Sequence, residues 1–528
     1  MKSCRERLGI IVLFCLALLP VIILRDFTPS NELRYLSIAD EALRNHTFFA
    51  FTNHGAPYPD KPPLYLWLIM LCRWLTGGHH LWLLSLLSVI PAIGIVMVIN
   101  RWVITEMSSN SRTLAMLMTL TSGLFLVSAI TIRMDMLMCL FITLSLREFW
   151  TLLTMSGDVR RAHWLFPVFI FLGIFTKGAL ALAIPLVSTA IFCTLSDFAG
   201  ATLGQRVRRF CKIWNWQVWG VLFICVGTWL AATYIEGGAD FIRNMLFKQT
   251  LGRAFHAFHH NAPFYYYLIH FWYCLAPWAL VVVCAIIVAL RPTTIRSNLQ
   301  CFFLVIALTT FGLLSCISGK LQIYMLPAVP FFIYSGVMFL PRVRHYHSLL
   351  WVSLALPAII FIMALPAVII VCLCGGMSCL DNAMVYVASG ILSLCGIQTL
   401  RSLHNRRYEY FDNAVRCMGY GVLLTLFVAA WALPSINKQI GYGFLCRKAL
   451  MLSDKYDIKD FRTWRLHRSA GIDVYMRHSV AEIAKDSLPI AKNDSAFILL
   501  TKECELKNVA YTEKIDAKPY AAVVIGRK

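Results

Sequence analysis

The sequence predicts a mostly α, polytopic membrane protein with about thirteen transmembrane helices, followed by a small α/β domain outside the membrane. Three observations predict it. Of 528 residues, 59% are hydrophobic and only 14% charged, which ordinary soluble domains do not approach. Many apolar runs reach the length of about 20 residues that crosses a bilayer. From about residue 436 the composition shifts, and residues 450–528 become rich in Lys, Asp and Glu.

Taken in order, the candidate spans are 8–24, 80–100, 112–132, 135–155, 163–177, 179–197, 214–234, 265–290, 299–317, 321–340, 349–374, 383–400 and 415–434. The first follows Lys2, Arg5 and Arg7 but runs into Leu24-Arg25-Asp26-Phe27 without a small-residue cleavage site, so it reads as an uncleaved helix. The run 63–76 is short and carries Arg73; the run 163–197 is interrupted at Thr176-Lys177-Gly178. Placing 63–76 in the interface and folding 163–197 into a hairpin puts Arg101, Arg112, Arg160, Arg161, the clusters Arg206 to Lys212 and Arg401 to Arg407, and Arg291, Arg296, Arg342 and Arg344 on the cytoplasmic side. The opposite parse moves the first four outside, against the positive-inside rule. The preferred parse sends 31–63, Arg133 to Asp135, 235–264 and Ser318 to Lys320 to the outer face.

In residues 436–528, Ala496 to Leu500 and Ala521 to Ile525 read as strands and 477–486 as a helix. The sequence thus divides into a membrane domain, 1–435, with an outer loop at 25–63, and an outer α/β domain, 436–528. Most of the eighteen Cys lie within apolar runs and read as small buried hydrophobes. The pairs Cys374/Cys379 and Cys446/Cys504 are equally compatible with bridges and with free thiols. The net charge of +21 fits basic cytoplasmic loops and membrane lipid headgroups rather than nucleic acid.

The chemistry-bearing residues gather in the outer segments. Glu32 to Leu43 reads as a short amphipathic helix on the membrane surface. Tyr58-Pro59-Asp60-Lys61-Pro62-Pro63 is a stiff turn, because proline restricts itself and its predecessor. Lys61 held there suits a phosphate, or else snorkels to the interface. Asp135 is a functional candidate as an ionisable group at membrane depth, or a helix-dipole partner. His256, His259 and His260 lack a nearby carboxylate and read as an aromatic, interfacial stretch, so neither a metal nor a cofactor is expected. Arg253 can pair bidentately with phosphate. Lys320 and Tyr324 add a cation and a phenol to a further outer turn.

Together, Glu32-x-Arg34-Tyr35, Tyr58-x-Asp60-Lys61-Pro62-Pro63-Leu64, Arg133-Met134-Asp135, Phe175-Thr176-Lys177-Gly178, Leu251-Gly252-Arg253-Ala254-Phe255-His256 and Gly319-Lys320-Leu321-Gln322-Ile323-Tyr324-Met325-Leu326-Pro327 resemble bacterial polyprenyl-phosphate-sugar glycosyltransferases. That family includes the lipid A aminoarabinose transferases and relatives of the protein O-mannosyltransferases. The resemblance implies a C-type glycosyltransferase fold in the bacterial inner membrane. It implies transfer of a sugar from an undecaprenyl-phosphate donor to a lipid, glycan or protein acceptor on the periplasmic side. It assigns Lys61, Arg253, Lys320 and Tyr324 to the donor phosphate, Asp135 as an acidic catalytic residue, and Arg34, Tyr35 and Tyr58 to the donor pocket. The family's first loop carries Asp-Glu-x-Arg-Tyr, and its Asp is a proposed base; here that position is Asn31, so either Glu32 takes over, Asp135 serves alone, or this member is weak or altered in activity. A lipid-linked-sugar transporter or flippase is the alternative function, but it would favour midplane charges or repeated halves, and neither is visible.

Overall fold

The computed structural model describes all residues except 1, 196–201, 252–261, 292–293, 295, 344–345, 375–380, 405–407, 477, 479, 485, 488–495 and 527–528. The chain divides into two compact units. One comprises Met1–Leu19, Pro59–Tyr65 and Ser85–Val428; the other comprises Pro20–Tyr58, Leu66–Leu84 and Ala429–Lys528.

The protein is a multi-pass membrane protein. Among the described residues ten helices are long and apolar enough to cross a bilayer, or twelve if two bent pairs each count as one span. Leu180–Leu195 and Pro63–Thr76 are apolar but shorter, at 16 and 14 residues. Pro63 opens its helix, where a missing N–H costs nothing.

The membrane unit corrects the sequence in two places. Segments 112–132 and 265–290 are not straight spans: Ser109–Leu120 and Gly123–Ile130 meet at 62°, and Tyr266–Cys274 and Ala279–Leu290 at 118°. The two breaks satisfy each other. Gly123 N–H donates to the Ala276 carbonyl (2.9 Å), and Trp278 Nε1 donates to Thr121 Oγ1 (3.1 Å). Irregular backbone is tolerated at membrane depth only where protein groups take up the freed donors and acceptors. Only glycine fits at 123, since a Cβ there would lie 2.6 Å from the Tyr273 carbonyl.

The break in 163–197 is a hairpin. Val159–Lys177 stops at Gly178, whose φ of 106° suits glycine, and Leu180–Leu195 turns back. A Cβ on Gly173 would lie 2.7 Å from that of Ala181, whereas eight residues of continuous helix span about 12 Å. Asp135 and Lys177 therefore share one end of the unit, and the start of Val159–Lys177, with Arg160 and Arg161, lies at the other. Arg7, Arg101, Arg112 and Arg342 lie toward that far end as well. Trp150 stacks on Phe302 (5.2 Å) and Trp102 packs edge-on to it (6.0 Å), which brings Arg101 there. Arg112 donates to the Asn100 carbonyl, Arg7 to Ser109 and Arg342 to Gln300.

In the other unit, Thr52–Asn53 (β1) and Ala56–Pro57 (β2) form a small hairpin, pinned by Glu41, which accepts from the His54 and Gly55 amides. Phe461–Trp464 (β3), Ala481–Ile483 (β4), Phe497–Lys502 (β5), Glu513–Ala517 (β6) and Tyr520–Ile525 (β7) form a sheet in the order β4-β3-β5-β7-β6. β3 pairs parallel with both β4 and β5, and β7 antiparallel with β5 and β6. The strand β5 is a near-continuous apolar run because both faces are covered, one by Leu506 and Val509 and the other by helix Gly443–Tyr456. The predicted helix 477–486 is overturned: Ala481–Ile483 is a strand beside β3. Its short apolar pattern suits either state, and the open edge of β3 decides it.

The helix Glu32–Asn45 forms as expected and is packed against protein. Leu33, Tyr35, Leu36, Ile38, Ala39 and Ala42 are buried, and Leu33 packs on Gly471. Ser37 donates to Asp473 at 2.8 Å. A helix buried around most of its circumference needs protein on several sides. Cys446 and Cys504 are free thiols, as is Cys374; Cys379 lies outside the described residues.

Candidate active site

In the membrane unit, the site is built at two helix ends. Asp135 begins Asp135–Thr154 and is 1% exposed. Its Oδ1 accepts from the ammonium of Lys177, the last residue of Val159–Lys177, and its Oδ2 from Arg133 Nε (3.2 Å). Lys177 Nζ also lies 4.6 Å from the centroid of the Tyr324 ring, whose negative face favours a cation. Lys61 pairs with Asp60 (3.4 Å) and is near enough to act electrostatically on Lys177. Lys61, Arg133 and Lys177 thus surround the carboxylates of Asp60 and Asp135, a cation-rich mouth suited to a phosphate. An ionised carboxylate has about four lone-pair sites, so Asp135 can still accept a hydrogen bond from a hydroxyl while both oxygens are held.

Lys320 is in the same unit. It is 4% exposed, and the carbonyls of Ala262 (3.1 Å) and Ile317 (2.5 Å) accept from its ammonium. Two of its three donors therefore fasten the turn that carries Tyr324. Arg253 lies outside the described residues.

The remaining candidates are in the other unit. Glu32 is 1% exposed and held by Arg25 through both oxygens, at 2.6 and 2.8 Å, while Thr28 N–H donates to it at 2.7 Å. This is the geometry of a structural anchor at a helix N-terminus. Asn31 Oδ1 accepts from Arg34 (2.9 Å), and the Arg34 guanidinium lies 5.7 Å from the centroids of both Tyr35 and Tyr58. The amide keeps the acceptor that a carboxylate would offer there, without the charge.

A second polar cluster in this unit has no counterpart in the sequence reading. Asp40 is bonded by Arg73 and His79, both at 2.9 Å. Burial pushes its pKa up, but the hydrogen bonds and charges of His79 and Arg73 outweigh this and hold the carboxyl below its usual range. Asp473 behaves oppositely: burial raises its pKa despite the Ser37 hydrogen bond and the nearby His54.

Sequence reasoning did not single out Lys177 as a site residue. Its signal was present, because it is an ionisable group between two long apolar runs. Arg25 had none, since one arginine after a membrane helix is ordinary.

No protein-family model matches the sequence. An uncharacterized protein of Aquifex aeolicus is 25% identical over 60% of this chain, and the chain spans 62% of that relative's length. An undecaprenyl phosphate-alpha-4-amino-4-deoxy-L-arabinose arabinosyl transferase of Shewanella sediminis is 22% identical over 87% of this chain and 84% of its own. Among solved structures, ArnT of Cupriavidus metallidurans bound to undecaprenyl phosphate superposes with a TM-score of 0.75 at 16% identity, covering 98% of both chains. Its apo state gives a TM-score of 0.74. The chain therefore has the C-type glycosyltransferase fold of the ArnT structures along almost its whole length.

Proposed function

We propose that this chain is an integral-membrane glycosyltransferase. It moves a sugar from a polyprenyl-phosphate donor to a lipid, glycan or protein acceptor on the periplasmic side of the bacterial inner membrane. The observation that carries this reading is the Asp135–Lys177–Tyr324 cluster, with Lys61, at the end of the membrane unit opposite its basic belt. The positive-inside rule assigns the belt to the cytoplasm and the cluster to the outer face. The ArnT fold and the undecaprenyl phosphate bound in one of its structures support the donor class.

In this reading, the acceptor oxygen bonds to the sugar's anomeric carbon as the bond from that carbon to the phosphate oxygen breaks. The acceptor proton passes to a carboxylate, and the departing polyprenyl phosphate carries the electron pair. Asp135 is the carboxylate we assign to the proton, because it lies beside Lys177 and Arg133 in the cluster with Tyr324, whereas Glu32 anchors Arg25 and the Thr28 amide. Lys61, with Arg253, takes the phosphate charge. Lys320 holds the turn beneath Tyr324, and Tyr324 steers Lys177. Arg34, Tyr35 and Tyr58 offer a cation–aromatic surface suited to a sugar ring.

Reconstitution tests it. Purified protein in liposomes should release undecaprenyl phosphate from an undecaprenyl-phosphate aminopentose or hexose as an acceptor extract is glycosylated. Mass spectrometry of lipid A and glycoproteins from a deletion strain names the acceptor. No missing sugar in either pool, with no release in vitro, would sink the proposal.

A further inference from the structure

Tyr267 has no part in the chemistry above, yet its hydroxyl reaches the turn that carries Tyr324. It lies on the helix Tyr266–Cys274, is 1% exposed, and sets its ring edge-on to Phe311. A phenol buried so deeply needs a hydrogen-bond partner within the protein. Its hydroxyl donates to the Leu321 carbonyl at 3.1 Å. The Tyr324 amide donates to the same carbonyl, also at 3.1 Å.

The turn needs support from outside. Gln322–Ala328 is a 3-10 helix of seven residues, and runs longer than about four are uncommon because their hydrogen bonds are poorly aligned. Such a helix advances about 120° per residue, against about 100° in an α-helix. Relaxation toward the α form would swing Tyr324, two residues past Gln322, by about 40°. Its ring would then leave the position 4.6 Å from the Lys177 ammonium. Lys320 fastens the residues before the turn through the Ala262 and Ile317 carbonyls. Tyr267 holds the turn's first carbonyl from a separate helix. A hydroxyl satisfied merely because it is buried would add stability and leave Lys177 untouched. The geometry favours a role in register, because the carbonyl it holds is the one shared with the Tyr324 amide.

We propose that Tyr267 is a positioning residue for transfer: its hydroxyl fixes the register of the Gln322–Ala328 turn and so keeps the Tyr324 ring over Lys177. The role in transfer rests on the glycosyltransferase reading above; the placement of Tyr324 does not.

The test is a double-mutant cycle on the full chain in liposomes, with Tyr267→Phe, Tyr324→Leu and the pair. It is joined to fluorine NMR of fluorotyrosine placed at position 324. Phenylalanine at 267 keeps the ring and its packing and removes only the hydroxyl. Tyr267→Phe should lower kcat by about threefold to tenfold and leave KM for the donor unchanged. In the Tyr324→Leu background the same change should have no further effect, because one residue acts through the other. The fluorine resonance should shift in Tyr267→Phe and stay in place in Tyr234→Phe, which removes an exposed phenol from another helix. Losses that multiply across the cycle, or an unmoved fluorine resonance, overturn the proposal. So does wild-type kcat in Tyr267→Phe with a lowered unfolding temperature, the mark of a hydroxyl that only stabilises. If the wild type transfers no sugar, the glycosyltransferase reading fails, and the fluorine resonance alone decides whether Tyr267 places Tyr324.

Discussion

Lys177 and Asp135, forty-two residues apart, close an ion pair between the end of one membrane helix and the start of another. Both side chains are less than a tenth exposed. Removing one partner of such a pair leaves an uncompensated charge and costs about 3–5 kcal/mol. Lys177→Met is therefore expected to lower the unfolding temperature and abolish transfer. Asp135→Asn/Lys177→Met should recover most of the stability, because the two changes couple, and none of the activity. Full transfer by Lys177→Met in the reconstituted assay would remove the pair from the mechanism.

Lys61 is assigned to the donor phosphate, so its loss should appear in the donor. A hydrogen bond to a charged group is worth about 1.5–3 kcal/mol. Lys61→Ala should lower kcat/KM for the polyprenyl-phosphate sugar by about tenfold to a hundredfold, with a smaller loss of stability because Asp60 loses its partner. Lys61→Arg should restore part of the loss by retaining the charge.

Glu32 and Asn31 are distinguished by stability. Glu32→Gln breaks the two-pronged contact with Arg25 and should lower the unfolding temperature while leaving kcat near wild type. Asn31→Asp places a charge beside Arg34 and should keep or raise transfer. A loss of kcat in Glu32→Gln at unchanged stability would return the base to Glu32.

Asp40 and Asp473 should give the Pro20–Tyr58, Leu66–Leu84 and Ala429–Lys528 unit opposite pH responses. Asp40 has a depressed pKa in the fold, so its contribution is present above the ordinary carboxylate pKa and is lost as pH falls through the depressed value. Asp473 has a raised pKa, so its contribution is largest at low pH and fades as pH rises from the ordinary value through the raised one. Asp40→Asn should therefore destabilise at neutral pH, whereas Asp473→Asn should be neutral or stabilising there. Thermal unfolding from about pH 3 to 8 measures both signs.

Transfer is expected to persist in EDTA, because the charge on the leaving phosphate is assigned to Lys61 and Arg253. Abolition of transfer by EDTA and its return with a divalent cation would overturn that assignment.

The sequence by itself determined the membrane class, most of the spans, the break at Gly178 and several of the segments that carry polar side chains. These follow from the length and sign of residue runs, which bilayer thickness and the positive-inside rule read directly. Its motifs also led to the fold. It could not show that 112–132 and 265–290 bend, since the two breaks are stable only because the Gly123 amide and the Ala276 carbonyl meet. Nor could it rank the carboxylates. Glu32 and Asp135 look alike in one dimension, and the difference lies in what surrounds them: Arg25 and the Thr28 amide for the first, Lys177 and Arg133 for the second. The segment from Asn31 to Leu66 reads as one polar insertion, yet it is shared between two compact units at Tyr58 and Pro59. Partner identity is set by contacts distant in sequence, and a charge's role depends on its partner; that is what tertiary structure alone decided.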